Sequence, residues 1–236
     1  MAVFAAGLIF VIKCPGNILN LNKKRMKKIF STLLAASLML LGTQAFAQMS
    51  VNAGYLNSTQ SFQDSNSKSI NSNGAYAGVS FNIPVAGEFG FAPGVYYSLI
   101  TNKSGGAGTI LGIPASASST FMEHAINVPL YFNYGRDLAR DTNVFVYAGP
   151  TLQYGLASTT KLAGGVGEFS GDRTYNNYDN QNYNRFNVYL GGGIGFQVSA
   201  IQITVGYDYG MMNLYKGDNA TKTHRSNLKL GLGFVF

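Results

Sequence analysis

Residues 227–236 read Asn-Leu-Lys-Leu-Gly-Leu-Gly-Phe-Val-Phe. Leu228, Leu230, Leu232, Phe234 and Phe236 share one face of an extended chain, and Asn227, Lys229, Gly231, Gly233 and Val235 share the other. A period of two is the mark of a strand whose faces meet different surroundings. The same alternation runs upstream. Ile201, Ile203, Val205, Tyr207, Tyr209 and Met211 alternate with polar or small residues, as do Phe186, Val188, Leu190, Ile194, Phe196 and Val198. It recurs over roughly 49–57, 75–83, 89–100, 121–134 and 143–156, giving eight strands. Most run about 9–14 residues, close to the roughly 9–11 that cross a bilayer at a tilt.

The connections sort by length. Those near 84–88, 135–142 and 199–200 are short, whereas 58–74, 101–120, 157–185 and 214–226 are long and rich in Ser, Asn, Gly and Tyr. Short and long alternate strictly, as in an up-and-down barrel with periplasmic turns, outer loops and both termini in the periplasm. The aromatics sort by height. Phe81, Phe89, Phe91, Phe132, Tyr134, Phe196, Phe234 and Phe236 lie towards the short turns. Tyr55, Tyr97, Tyr154, Phe186, Tyr207 and Tyr209 lie towards the long loops, and mostly Val, Leu, Ile and Ala lie between. Two aromatic belts around an aliphatic band suit a lipid-facing wall. A soluble lipocalin-like barrel, with its apolar face turned inward, is the rival topology. The belts, the polar and Gly-rich opposite face and the terminal Phe236 favour the transmembrane form. The expected fold is therefore all-β: an eight-stranded antiparallel transmembrane barrel over residues 48–236.

Before it, residues 26–47 have the layout of a secretory signal peptide: Met26-Lys27-Lys28, an apolar run from Ile29 to Leu41, and Ala45-Phe46-Ala47 as cleavage site. Residues 1–25 read as a start placed too early, or as an extended leader. Export by the general secretory route to the outer membrane of a Gram-negative cell is the expectation. The net charge of +7 follows from this division, because six of the 17 basic residues and none of the 10 acidic ones precede Gln48. The remaining chain is nearly neutral, so its charge gives no reason to expect a nucleic-acid partner. The single cysteine, Cys14, lies in the leader, which excludes a disulfide framework from the barrel.

The third to sixth strands carry a resemblance. Glu123 to Tyr134, with Val128-Pro129-Leu130 and Asn133-Tyr134, is similar to the strand ending in I-P-L-x-x-K-Y of PorT-like outer-membrane β-barrel proteins of Bacteroidota. Tyr147 to Gly155 resembles their following G-P-x-x-G-Y strand, and Phe91 to Tyr97 the one before. Asn133 stands where that family commonly has lysine. The resemblance implies fold and compartment, and no activity. Pro93, Pro129 and Pro150 lie at similar height on neighbouring strands, where a residue without an N–H should weaken or bulge the ladder.

Chemistry is sparse. His124 is expected on the lipid face near the outer rim, and His224 in the last long loop beside Arg225. Neither has a nucleophile close by, so no catalytic, cofactor or metal site is expected. Glu123, Arg185, Asp208 and Lys229 are expected inside the barrel, with Asp208 opposite Lys229 about a loop centred near 218–219. Enclosed charges need partners. The inward glycines should make room for Tyr96, Tyr131, Tyr147 and Tyr189, with no open pore. Tyr175, Tyr178 and Tyr183 in the 157–185 loop form a candidate recognition surface for a glycan or host protein. Phe234 and Phe236 form a candidate C-terminal signal for the barrel-assembly machinery. Expected partners are thus outer-membrane lipid, that machinery and an unidentified extracellular ligand. A structural or surface-interaction role leads, with an adhesin and a lipid-modifying enzyme as alternatives.

Overall fold

The computed structural model of the chain describes residues 48–62, 69–110, 113–166, 169–180, 183–215 and 222–236. The expected leader and its cleavage site lie outside the described residues. Nine strands form: β1 (Gln48–Phe62), β2 (Ile70–Ala86), β3 (Phe89–Ile110), β4 (Ile113–Ala139), β5 (Thr142–Val166), β6 (Phe169–Asn176), β7 (Phe186–Val198), β8 (Ile201–Gly210) and β9 (Thr223–Val235). A single helical turn, α1 (Asn177–Asn180), follows β6. Every pairing is antiparallel. The pairings close on themselves in the order β1-β2-β3-β4-β5-β7-β8-β9-β1, while β6 pairs only with β5.

The ring itself has eight strands; the ninth, β6, lies outside it and was not expected, and its origin is physical. The expectation ended strands where apolar alternation ended, yet β4 runs for 27 residues and β5 for 25. Past the lipid both faces meet water, so the ladder continues on backbone hydrogen bonds without an apolar face. The stretches 102–110, 113–122, 157–166 and 169–176 thereby build a four-stranded sheet on the long-loop side, in segments read from sequence as loops.

Hydrogen-bonded rows fix the stagger of the ring. From Asn52 one row passes Gly78, Tyr96 and Asn127 to Gln153. The other passes Gly233, Gln202 and Gln197 to Asn143. The two rows meet β5 ten residues apart, a shear that tilts the strands by roughly 40°. The short turns are tight, with Gly87 at φ 56° and Ser199 at φ 53°. At the three prolines the pairing skips: between Gly94 and Phe91 on β3, between Tyr96 and Pro93 on the β3–β4 ladder, and between Pro129 and Phe132 on the β4–β5 ladder. The register is unchanged across each skip, so the ladder is interrupted there without a bulge. A bulge does occur at Leu156, between the His124–Ala157 and Ala125–Gly155 pairs.

Burial is inverted relative to a water-soluble barrel. Phe132 is 63% exposed, Leu232 62% and Ile194 60%, whereas Glu123, Asp208 and Arg225 are 3% exposed or less. Apolar side chains cover the outer wall, and mostly polar and aromatic ones line the lumen. The inward glycines do make room for rings: a Cβ on Gly193 or Gly206 would collide with Tyr147, and one on Gly231 with Tyr76. Tyr76 and Phe145, which packs against Gly195, join the expected inward rings.

Candidate functional site

Two charged tiers cross the lumen. In the lower, Lys229 on β9 meets the Asp208 carboxylate on β8 at 2.6 Å and donates to the Tyr131 hydroxyl on β4 at 2.9 Å. Tyr131 in turn donates to Asp208 at 3.0 Å and accepts from Thr151 at 3.0 Å. A loop centre near 218–219 would set the pair directly opposite, and the structure corrects this. Asp208 faces Asn227 and Lys229 faces Gly206, so the charged side chains meet diagonally. The β8–β9 ladder is shifted by two residues, which preserves inward parity and hence the contact.

In the upper tier, Glu123 on β4 is 2% exposed and takes a two-pronged grip from Arg225 on β9, at 2.6 and 3.1 Å. Arg225 also donates to the Tyr183 hydroxyl. This corrects two expectations. Arg185 does not enter the lumen: its guanidinium lies against Asp179 at 3.3 Å and over the Tyr178 ring, with its side chain 37% exposed. The cation inside is Arg225, because β9 begins at Thr223 rather than beyond Ser226. Its parity with Asn227 and Lys229 was the available signal. His224, on the opposite face of β9, stacks on Tyr209 and its Nδ1 lies 3.1 Å from the Gly210 carbonyl.

Above Arg225 sits a cap. Tyr178, Tyr183 and Leu214 are 6%, 4% and 2% exposed and pack with Tyr215. Two of the three tyrosines expected to face outward therefore point into the molecule, and Tyr175 lies half-buried beside Arg173. Burial lifts the Tyr178 phenol well above its ordinary range; the Glu123 carboxylate adds to this, while Arg225 and Arg185 oppose it. Burial raises Tyr183 likewise, with Arg225 opposing. Both phenols thus stay protonated at neutral pH. Gly155 is the seat of the cap, since a Cβ there would occupy the place of the Tyr178 hydroxyl.

On the outer wall, His124 Nδ1 meets the Tyr97 hydroxyl at the long-loop belt. Phe234 and Phe236 pack edge to face at 5.0 Å, and the Phe236 amide donates to the Met49 carbonyl at 2.8 Å. Among the described residues no cluster of three His, Cys, Asp or Glu is placed to hold a metal ion.

Comparison with known proteins adds the following. The sequence profile described as "Outer membrane protein beta-barrel domain" matches residues 42–216. No curated protein matches the chain. Among solved structures, the attachment invasion locus protein Ail of Yersinia pestis aligns at 14% identity over 81% of this chain and 99% of its own, with a TM-score of 0.38. Neisserial surface protein A aligns at 13% identity over 80% and 97%, with a TM-score of 0.39. OprG of Pseudomonas aeruginosa aligns at 11% over 81% and 96%, with a TM-score of 0.35.

Proposed function

The chain belongs to the outer-membrane protein β-barrel domain family, and from that premise we propose that it is an integral outer-membrane protein with a structural or surface-interaction role. Eight of its strands cross the bilayer, β6 lies above it, and the short turns and both barrel ends of the chain face the periplasm. The chain reaches the membrane by the general secretory route after loss of residues up to Ala47. The assembly machinery engages the strand ending in Phe234 and Phe236. The layout of the third to sixth strands supports a PorT-like place within the larger family.

The observation that carries this reading is the inverted burial, with aromatic belts outside and two charged tiers inside. Unpaired apolar surface on that scale is unstable in water and stable against lipid. The test compares the mobility of unboiled and boiled protein from washed outer membranes on a gel. A folded barrel resists detergent and changes apparent mass only on heating. A soluble periplasmic protein without that change would overturn the reading.

A second role, contact with an extracellular ligand, is supported by the four-stranded sheet on the long-loop side. Its exposed stretches at 103–109, 116–118 and 170–174, rather than Tyr178 and Tyr183, form the accessible surface. Shortening 104–118 together with 162–173 leaves the transmembrane ladders intact. Loss of binding to cells or glycans in that variant, with an unchanged gel shift, is the expected result for an adhesin.

A further inference from the structure

Below the Asp208–Lys229 tier the lumen is not filled. A cavity of about 630 Å³ lies there, within the range of small-molecule sites and bordered by the short-turn residues. Its two sides differ in chemistry. On β5, Phe145 and Tyr147 stand one above the other with ring centroids 6.2 Å apart, and Tyr131 continues the track at 4.9 Å. Phe145 is an apolar ring set inward in a polar lumen, half-buried, in space left by the missing side chain of Gly195. Three strands separate β5 from β1 in either direction around the ring. The two rows from Asn52 reach β5 at 153 and 143, so the height of Asn52 on the far wall is near residue 148. Tyr147 therefore faces Asn52 across the cavity.

The Asn52 amide is held in place by Ser50, Ser80 and Tyr96 at 3.0–3.1 Å, which leaves its orientation fixed. Asn82 borders the same cavity towards its short-turn end, its Oδ1 accepting from the Asn133 amide at 2.8 Å. The cation at the ceiling, Lys229, is already neutralised by Asp208. An aromatic track facing fixed amides, with no uncompensated charge at the ceiling, suits a molecule that has both C–H faces and hydroxyls.

We propose that this cavity binds a neutral saccharide of one or two rings, its C–H face on Phe145 and Tyr147 and its hydroxyls on the amides opposite. The inference rests on the proposed orientation only for its source, which is then the periplasm.

The experiment uses full mature protein folded in a detergent without a sugar headgroup, with trehalose, maltose and N-acetylglucosamine as probes in saturation-transfer NMR titrations. Saturable millimolar binding of at least one probe is expected. Phe145→Ala should weaken it by at least about fivefold, the worth of one aromatic face. Phe145→Leu, which keeps apolar bulk, should weaken it nearly as much. Absence of saturable binding overturns the proposal, as does binding that Phe145→Leu leaves unchanged. Orientation is read separately, from protease access to the 104–118 tip in intact cells, so either idea can fail without the other.

Discussion

Arg225 is the residue on which the upper lumen turns. It is 1% exposed, grips Glu123 with two nitrogens and supports Tyr183. Removing one partner strands a buried charge, a loss of roughly 3–5 kcal/mol. Arg225→Ala and Glu123→Gln should each lower the urea midpoint of the folded gel band accordingly, while Glu123→Leu with Arg225→Met should return it close to the parent value. A parent-like midpoint in either single variant would show the pair to be hydrated. Gly155 makes a subtler point. Gly155→Ala places a methyl where the Tyr178 hydroxyl sits. Cleavage of the 175–185 segment by added protease should rise, with the heat-dependent gel shift intact. Inward parity made Glu123, Asp208 and Lys229 legible from sequence. Arg225 was hidden because Thr223-His224-Arg225-Ser226 carries no apolar alternation, so the strand looked finished before it was.

At the scale of elements, sequence patterning works only where two solvents meet. β7, β8 and the lower parts of β1 to β5 were legible since lipid demands an apolar face and the lumen a polar one. β6, with Ser170-Gly171-Asp172-Arg173-Thr174, has water on both sides and no such demand. Its attachment to β5 includes the Lys161–Asp172 pair at 2.7 Å, with both side chains more than half exposed. The hydrogen bond and charge of Lys161 hold the Asp172 carboxyl below its usual range. A depressed folded value means that the contribution is present above the ordinary carboxylate pKa and fades as pH falls through the lowered one. Carbon-detected NMR titration should give Asp172 a midpoint below 3.8, moving back to that value in Lys161→Ala. An Asp172 midpoint identical in both proteins would remove the pair from the account of β6. At a tight turn, Ser199 holds φ 53° with a side chain that disfavours it. Ser199→Gly should therefore stabilise the fold by up to about 1 kcal/mol, read as a slightly higher urea midpoint.

For the whole molecule, the ring closes between β1 and β9, the first and last strands, and both tiers tie β9 to β4 across the lumen. The prolines show how the closed wall tolerates local loss: three ladders skip pairs beside them, yet the register is the same on either side of each skip, because slippage by one residue there would turn the lipid-facing side chains beyond it inward. What stayed illegible at this scale is the content of the lumen. Parity says which side chains point in, but not which of them meet across the ring, since that depends on the ten-residue shear. The cap was misread for a related reason: tyrosine suits an exposed contact surface and a sealed aromatic plug equally well.

Glu123 and Arg225 are 102 residues apart in the chain and stand on strands four places apart around the ring. Neither charge has its partner until the last strand has arrived and the seam has joined, so an open sheet entering the bilayer carries both ions uncompensated. Such a long-range contact is late and slow to form, and the pair acts as a gate in time, rewarding only the completed circle. Replacing both charges by Leu and Met should quicken the appearance of the folded band in vesicle-refolding time courses. A rate unchanged or reduced in that variant would place the slow step before closure.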